Sequence, residues 1–145
     1  MEEASETKKK AKWVYRISAQ AEWEELQHKG FTHGGDLDRT TGCIHLSDLD
    51  QVKMTLATFF AGREDLYLLQ IDAAKLGEGL VYESADGTNY FPHFYGPEKS
   101  FVPLQLDTVV KAEKVDLIDG NFNLPTHTPE ATTTTTTNAR GRISV

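Results

Sequence analysis

The sequence predicts an α+β domain. Two segments with helical period come early, over about residues 18–29 and 48–61, and each follows a short β-like run. The second half alternates like strands and lacks the crossover helices that parallel strands require. The element order is therefore β-α-β-α-β, then mostly β, with two helices packed on a strand-rich remainder.

Trp13-Val14-Tyr15-Arg16-Ile17 reads as the first strand, with Trp13, Tyr15 and Ile17 on one face and Val14, Arg16 and Ser18 on the other. Ser18 is the expected N-cap of the first helix, Ala19, Trp23 and Leu26 its apolar side, and Gly30 its stop. Residues 31–42, FTHGGDLDRTTG, are rich in turn formers and predict a loop. Cys43-Ile44-His45-Leu46-Ser47 reads as a short strand. Ser47 is the expected N-cap of the second helix, and Asp50, three residues on, makes a near capping box. Val52, Leu56, Phe59 and Phe60 supply that helix's buried side, and Gly62 ends it. Leu66–Ile71 is a nearly continuous apolar strand, and Asp72–Leu76 fits one helical turn. Leu80–Glu83 and Asn89–Phe91 flank Asp86-Gly87, a hairpin signal. Phe101–Leu106 and Thr108–Val115 alternate as the last strands, with Pro103 marking an edge.

Composition divides the chain into three zones. Residues 1–11 form a polar leader, residues 12–117 carry almost all the large apolar side chains, and residues 118–145 shift to Gly, Asn, Pro and Thr, with six threonines at Thr132–Thr137. Such a tail buries too little apolar surface to offset its chain entropy and is expected to be disordered. The 145 residues suit one domain. The net charge of −7 argues against binding DNA or RNA through bulk positive charge, though not against a small nucleotide in a local pocket. The lone Cys43 excludes an internal disulfide framework and fits a reducing compartment. No apolar run is long enough to span a bilayer, and the charged N-terminus lacks a secretory signal's apolar stretch, so a cytoplasmic address is expected. The five histidines lack the paired spacing of a zinc site, the acidic residues lack the EF-hand pattern, and no G-x-S-x-G, P-loop or G-x-G-x-x-G occurs. Cys43 has no flanking Lys or Arg to stabilise a thiolate, so inert packing is expected of it.

Four places could carry chemistry. On the strand 43–47, His45 and Ser47 share a face just before a helix, where an imidazole and a hydroxyl could hold ribose hydroxyls or a phosphate. The alternative is that both satisfy local backbone. Arg16 lies in mid-strand, where a guanidinium is costly to bury without an anionic partner; it could equally pair with an acidic side chain. Glu83, at a strand end, could accept a ribose hydroxyl or stabilise an oxocarbenium-like centre, or be a solvated hairpin charge. In Phe91-Pro92-His93-Phe94-Tyr95-Gly96-Pro97, His93 and Tyr95 point the same way when extended. Their rings could line a slot for a flat base, or plug the space under a loop.

These residues carry a family resemblance. Tyr15-Arg16-Ile17, Glu22-Trp23, Gly42-Cys43-Ile44-His45-Leu46-Ser47, Phe59-Phe60-Ala61-Gly62, Ile71-Asp72, Tyr82-Glu83 and Phe91-Pro92-His93-Phe94-Tyr95-Gly96-Pro97 resemble, in order and over about residues 13–111, domain-of-unknown-function family nine-five-two. A more distant likeness is to the NAD-dependent RNA 2′-phosphotransferases. Ile44-His45-Leu46-Ser47 is similar to their His-Val-His-Leu-Ser strand, and Ile71-Asp72-Ala73 with Gly79-Leu80-Val81-Tyr82-Glu83-Ser84 and Asp86-Gly87 to their Val-Asp-Ala and Phe-Tyr-x-Ser-x-Asn-Gly segments. Arg16 stands where that family has a first-strand histidine, and the upstream RNA-binding lobe is absent, which weighs against RNA phosphate transfer.

The resemblance implies an ADP-ribosyltransferase-like fold: a split β-sheet with two main helices and a cleft for NAD. It implies that Arg16, with Ser18 on its face, contacts pyrophosphate or ribose. His45 and Ser47 would hold the nicotinamide ribose, and His93 and Tyr95 would line the base pocket. In an NAD-dependent transferase or NAD-cleaving enzyme, Glu83 and His45 would be the catalytic residues, Glu83 stabilising positive charge at the anomeric carbon. The alternative is a non-catalytic module that binds a nucleotide or a protein.

Overall fold

The computed structural model describes residues 12–124. The disorder expected of residues 1–11 and 125–145 lies outside the described residues.

The expected mixture of helix and antiparallel sheet is what the chain forms. Strand β1 (Trp13–Ala19) pairs along its whole length with β4 (Leu66–Asp72), which pairs with β8 (Val109–Ile118), and β8 turns back into β9 (Asn121–Asn123). A second antiparallel sheet holds β3 (Ile44–His45), β6 (Phe91–Phe94) and β5 (Leu80–Glu83), in that order. A short pair, β2 (Phe31–Thr32) with β7 (Leu104–Gln105), lies apart from both sheets. One bridge joins the two larger sheets: Tyr15 and Ser47 exchange backbone hydrogen bonds at 2.8 Å in both directions. Pairing between the sheets stops there, because the bridge is isolated.

Both faces of β1 are covered. Tyr15 and Ile17 pack with Val52 and Leu56 of helix α3 (Leu49–Phe59) and with Leu66, Leu68 and Val115. Val14 points the other way, into a cluster with Leu26 of helix α1 (Gln20–Lys29), Ile44, Leu46, Leu69, Ile71, Leu76 and Leu104. This sandwiching explains why β4 reads as a continuous apolar run: Leu66 and Leu68 serve one core, Leu69 and Ile71 the other. The two long helices therefore lie on opposite sides of the first sheet, with Trp13 alongside Tyr15 and Ile17 as the period of two requires.

Several boundaries differ from the sequence reading. Ser18 belongs to β1, opposite Tyr67, and Ala19 is the N-cap of α1. The strand runs on because β4 offers it a full ladder, and the Gln20 N–H at the helix start finds the Asp65 carbonyl at 2.7 Å. Gly30 does stop α1, in the left-handed conformation at φ 87°, its N–H returning to Leu26. Asp48, not Ser47, caps α3, because the Ser47 backbone is committed to the bridge with Tyr15. The side chain of Gln51, rather than Asp50, closes the box, accepting from the Asp48 N–H at 2.8 Å. The segment expected to be a loop, 31–42, holds β2 and a helix, α2 (Asp36–Thr41), too short to show a period. Helix α4 (Ala73–Leu76) is the expected single turn, its Asp72 cap accepting from the Ala74 N–H.

Strand pairing continues past residue 117. Residues 118–124 are ordered by β9, which pairs Asn121–Asn123 with Asp116–Ile118, and Phe122 and Leu124 pack against the core shared by Tyr15 and Leu56. The Phe122 and Leu124 contact, set among Gly120, Asn121 and Asn123, was masked by the tail's composition. A chain ended at Leu117 is expected to lose about 1–3 kcal/mol of stability in urea unfolding relative to one ended at Leu124. Identical midpoints would show that β9 contributes nothing.

Candidate functional site

Arg16 sits where β1 and β3 separate, and it is 6% exposed. Its Nε and one terminal nitrogen donate to the Glu22 carboxylate at 2.9 and 2.8 Å. Its two terminal nitrogens also donate to the two oxygens of Asp38 at 3.0 and 2.8 Å, and one reaches the His45 carbonyl at 2.9 Å. All five guanidinium N–H groups thus have acceptors. Burial alone would lower the Arg16 pKa, but Glu22 and Asp38 outweigh it and raise the value further above its ordinary range. The acidic partner that the sequence reading allowed is therefore present twice. A pyrophosphate contact would require Arg16 to give up one of these bonds. Arg16 instead clamps β1, α1, α2 and β3 together.

Asp38 lies on α2 and is buried. Besides Arg16 it accepts from the Gly35 N–H at 2.8 Å, the His45 N–H at 2.8 Å and His45 Nδ1 at 2.9 Å. Burial would raise its pKa, but the His45 hydrogen bond and the Arg16 charge prevail and hold the carboxyl well below the usual carboxylate range. An ionised carboxylate only accepts, so the imidazole proton is assigned to Nδ1. His45 Nε2 then faces Thr41 Oγ1 at 3.3 Å and Cys43 Sγ at 3.9 Å. Gly34 makes this arrangement possible. It sits at φ 80°, and a Cβ there would lie 2.5 Å from Asp38 Oδ2.

Across the β3–β6 ladder His45 stands directly opposite His93. The two rings lie edge to face with centroids 4.9 Å apart. His93 Nδ1 is held by Glu83 of β5 at 2.7 Å, so its proton is assigned in the same way and its Nε2 is the remaining nitrogen. Glu83 also accepts from the Tyr95 hydroxyl at 2.7 Å and from Lys99 Nζ at 2.8 Å. Burial pushes its pKa up, but the bonds from Lys99, His93 and Tyr95 dominate and lower it to about 2. Tyr95 responds oppositely: burial and the Glu83 carboxylate raise the phenol above its ordinary value. Burial likewise pushes the Cys43 thiol up, which disfavours a thiolate nucleophile at this face.

The sheet thus joins His45, His93, Glu83 and Tyr95 on one face. Ser18 and Ser47 are not part of that exposed face: both are buried, Ser18 Oγ donates to the Ala19 carbonyl, and Ser47 forms the bridge. Two residues at the centre of the cluster, Asp38 and Lys99, escaped the sequence reading. The Asp38 signal was the Gly-Gly-Asp-Leu-Asp run before a glycine-stopped turn, and the Lys99 signal was the Gly-Pro pair that starts its loop. The cluster holds three carboxylates, Glu22, Asp38 and Glu83, against two cations, Arg16 and Lys99. With neutral imidazoles it therefore carries one negative charge. Among the described residues no group of His, Cys, Asp and Glu is arranged to hold a metal ion, and no helix is long and apolar enough to cross a membrane.

A pocket of about 570 Å³ adjoins this face. Val81, Phe94 and Val102 form apolar wall, Tyr95 and Lys99 are shared with the Glu83 cluster, and Glu78 and Glu98 add carboxylates. Glu98 and Lys99 both adopt φ 58°, an uncommon backbone conformation for residues with side chains.

A family model described as protein of unknown function (DUF952) matches residues 17–112. The chain belongs to the DUF952 family. No curated protein matches it. The crystal structure of protein CC0527 from Caulobacter crescentus is 34% identical, with a TM-score of 0.68 over 77% of this chain and 93% of that one. The solution NMR structure of CC0527 is 32% identical, with a TM-score of 0.65 over 77% and 91% of the two chains. At these levels the DUF952 domain of this chain and CC0527 share one fold.

Two outcomes follow from the electrostatics. Arg16→Met leaves Glu22 and Asp38 buried without their cation and is expected to cost about 3–5 kcal/mol in denaturant unfolding; a loss under 1 kcal/mol would contradict the clamp. The folded-state value of Glu83 lies below its ordinary value of 4.5, so its stabilising contribution is complete above pH 4.5 and fades as pH falls towards about 2. Glu83→Gln is expected to flatten that limb of the acid-unfolding curve, and an unaltered limb would rule out the ion cluster.

Proposed function

We propose that this DUF952 domain is ADP-ribosyltransferase-like and takes NAD or another ADP-ribosyl-type nucleotide on the face formed by His45, His93, Glu83, Tyr95 and Lys99. The observation that carries the reading is the facing pair of imidazoles, each with its Nδ1 tied to a carboxylate, beside Glu83 and next to the break between the two sheets. The isolated bridge supports a split sheet, the form the resemblance implies.

The residues fit a ribose and a flat ring better than a pyrophosphate. His45 and His93 offer nitrogens that can bond sugar hydroxyls, and Tyr95, Phe94 and Val81 offer surface for a base. The excess negative charge of the cluster suits a cationic ring and the positive charge that develops at a ribose anomeric carbon, which Glu83 would stabilise. Arg16 already has five acceptors, so Lys99, with its side chain 60% exposed, is the better cation for a phosphate. In this reading Arg16, Ser18 and Ser47 position the face from beneath it.

A non-catalytic variant of the same reading has its own support, because Glu83 is already engaged by His93, Tyr95 and Lys99. In that variant the domain binds the nucleotide without cleaving it. Purified protein separates the cases. Catalysis predicts nicotinamide release from NAD that falls about 100-fold or more in Glu83→Ala and His45→Ala. A binder predicts thermal stabilisation by ADP-ribose without release. Absence of both stabilisation and release would reject the nucleotide assignment.

A further inference from the structure

We infer a second chemistry for this face: His45 and His93 form a general acid–base pair that opens a cyclic phosphodiester on a single ribonucleoside. The inference rests on the reading that the face takes a nucleotide, but not on that nucleotide being NAD.

Two groups able to transfer protons lie side by side on one face. Register sets the rings opposite each other at 4.9 Å, and Asp38 and Glu83 occupy the two Nδ1 positions. Each histidine therefore has only Nε2 left to use, at His45 in exchange for its 3.3 Å contact with Thr41 Oγ1, and both side chains are partly open to solvent, at 26% and 20%. Histidine is the side chain best suited to give and take protons near neutral pH. A paired base and acid meet the needs of substitution at phosphorus, where the attacking and leaving oxygens lie on opposite sides of the reacting atom. Acyl transfer through the nearby thiol fits less well, because Cys43 is buried and its thiol is pushed towards the neutral form.

The surroundings offer room for the rest of the substrate. The adjoining pocket of about 570 Å³, walled by Val81, Phe94, Tyr95 and Val102, has space for a nucleoside base. Lys99 lines this pocket, and its ammonium, which meets Glu83 at 2.8 Å, has further N–H donors for non-bridging phosphate oxygens. The chain's net charge of −7 disfavours a polynucleotide.

The step balances with water alone. One neutral imidazole accepts a proton from water as the water oxygen bonds to phosphorus. The ring P–O bond breaks, and the other imidazole, protonated, gives its proton to the departing ribose oxygen. The product is a nucleoside phosphomonoester. Exchange with solvent restores the two histidines, and nothing is oxidised or reduced.

The full chain is incubated with 2′,3′-cyclic AMP and followed by ³¹P NMR, alongside thermal shifts with ADP-ribose. The expected result is conversion to the monoester with a bell-shaped pH profile. His45→Asn and His93→Asn are each expected to lower the rate about 100-fold or more and to remove one limb of the bell. Circular dichroism melts identify folded variants, and Glu83→Gln, which keeps both imidazoles but loosens one, is expected to reduce the rate less than His93→Asn. No conversion by folded wild type overturns the inference, as does equal conversion by wild type and folded histidine variants. Stabilisation by ADP-ribose without opening of the cyclic phosphate would sink this chemistry and leave the nucleotide reading intact. Opening without stabilisation would do the reverse to the NAD assignment.

Discussion

Burying a guanidinium is expensive unless every donor finds an acceptor. Arg16 meets that condition with two carboxylates and one carbonyl, drawn from three elements other than its own strand. The rest of the domain is arranged around this requirement. Past the single Tyr15–Ser47 bridge the backbones of β1 and β3 no longer pair, and the Arg16 side chain takes over, supplying the donor for the His45 carbonyl. The fork shape matters as much as the charge. A guanidinium can bind Glu22 and Asp38 side-on at once, whereas an ammonium could not reproduce both contacts.

The consequence for the candidate site is an asymmetry between its two imidazoles. His45 is anchored from below: its Nδ1, its N–H and its carbonyl are all tied to the Asp38–Arg16 unit. His93 is anchored from the side, by a Glu83 whose other partners include the exposed Lys99. Salt and acid act first on that outer partner, since screening weakens exposed pairs more than buried ones. One half of the face is rigid by construction and the other is adjustable. The adjustable half lies beside a lysine-bearing loop with two residues, Glu98 and Lys99, in the left-handed region.

What could be read from the sequence follows from the range of the signals. The period-two pattern of β1 placed Trp13, Tyr15 and Ile17 together, and the apolar run at Leu66–Ile71 marked the central β4, because strand faces are local properties. The shared face of His45 with His93 and Glu83 depends on register between strands, which no local period encodes. Ser18 and Ser47 looked like caps because capping is judged from sequence neighbours, yet each was claimed by pairing with a distant strand. Asp38 was invisible for a different reason. Helix α2 spans six residues inside a glycine-rich stretch, so turn composition concealed the carboxylate on which Arg16 and His45 converge. β9 was lost in the same way, to a polar stretch in which only Phe122 and Leu124 pack, half-buried, against the core.

The account turns on the proton of each imidazole residing on Nδ1, held there by Asp38 and Glu83, which leaves Nε2 as the nitrogen able to accept a proton. Two-bond ¹⁵N–¹H correlation NMR of the histidine rings, at a pH where they are neutral, reads this directly. His45 and His93 are expected to show the Nδ1–H tautomer, and His45 is expected to lose its preference in Asp38→Asn while His93 keeps its own. A wild-type spectrum with the proton on Nε2 of either ring would contradict the arrangement from which the proposed chemistry is built.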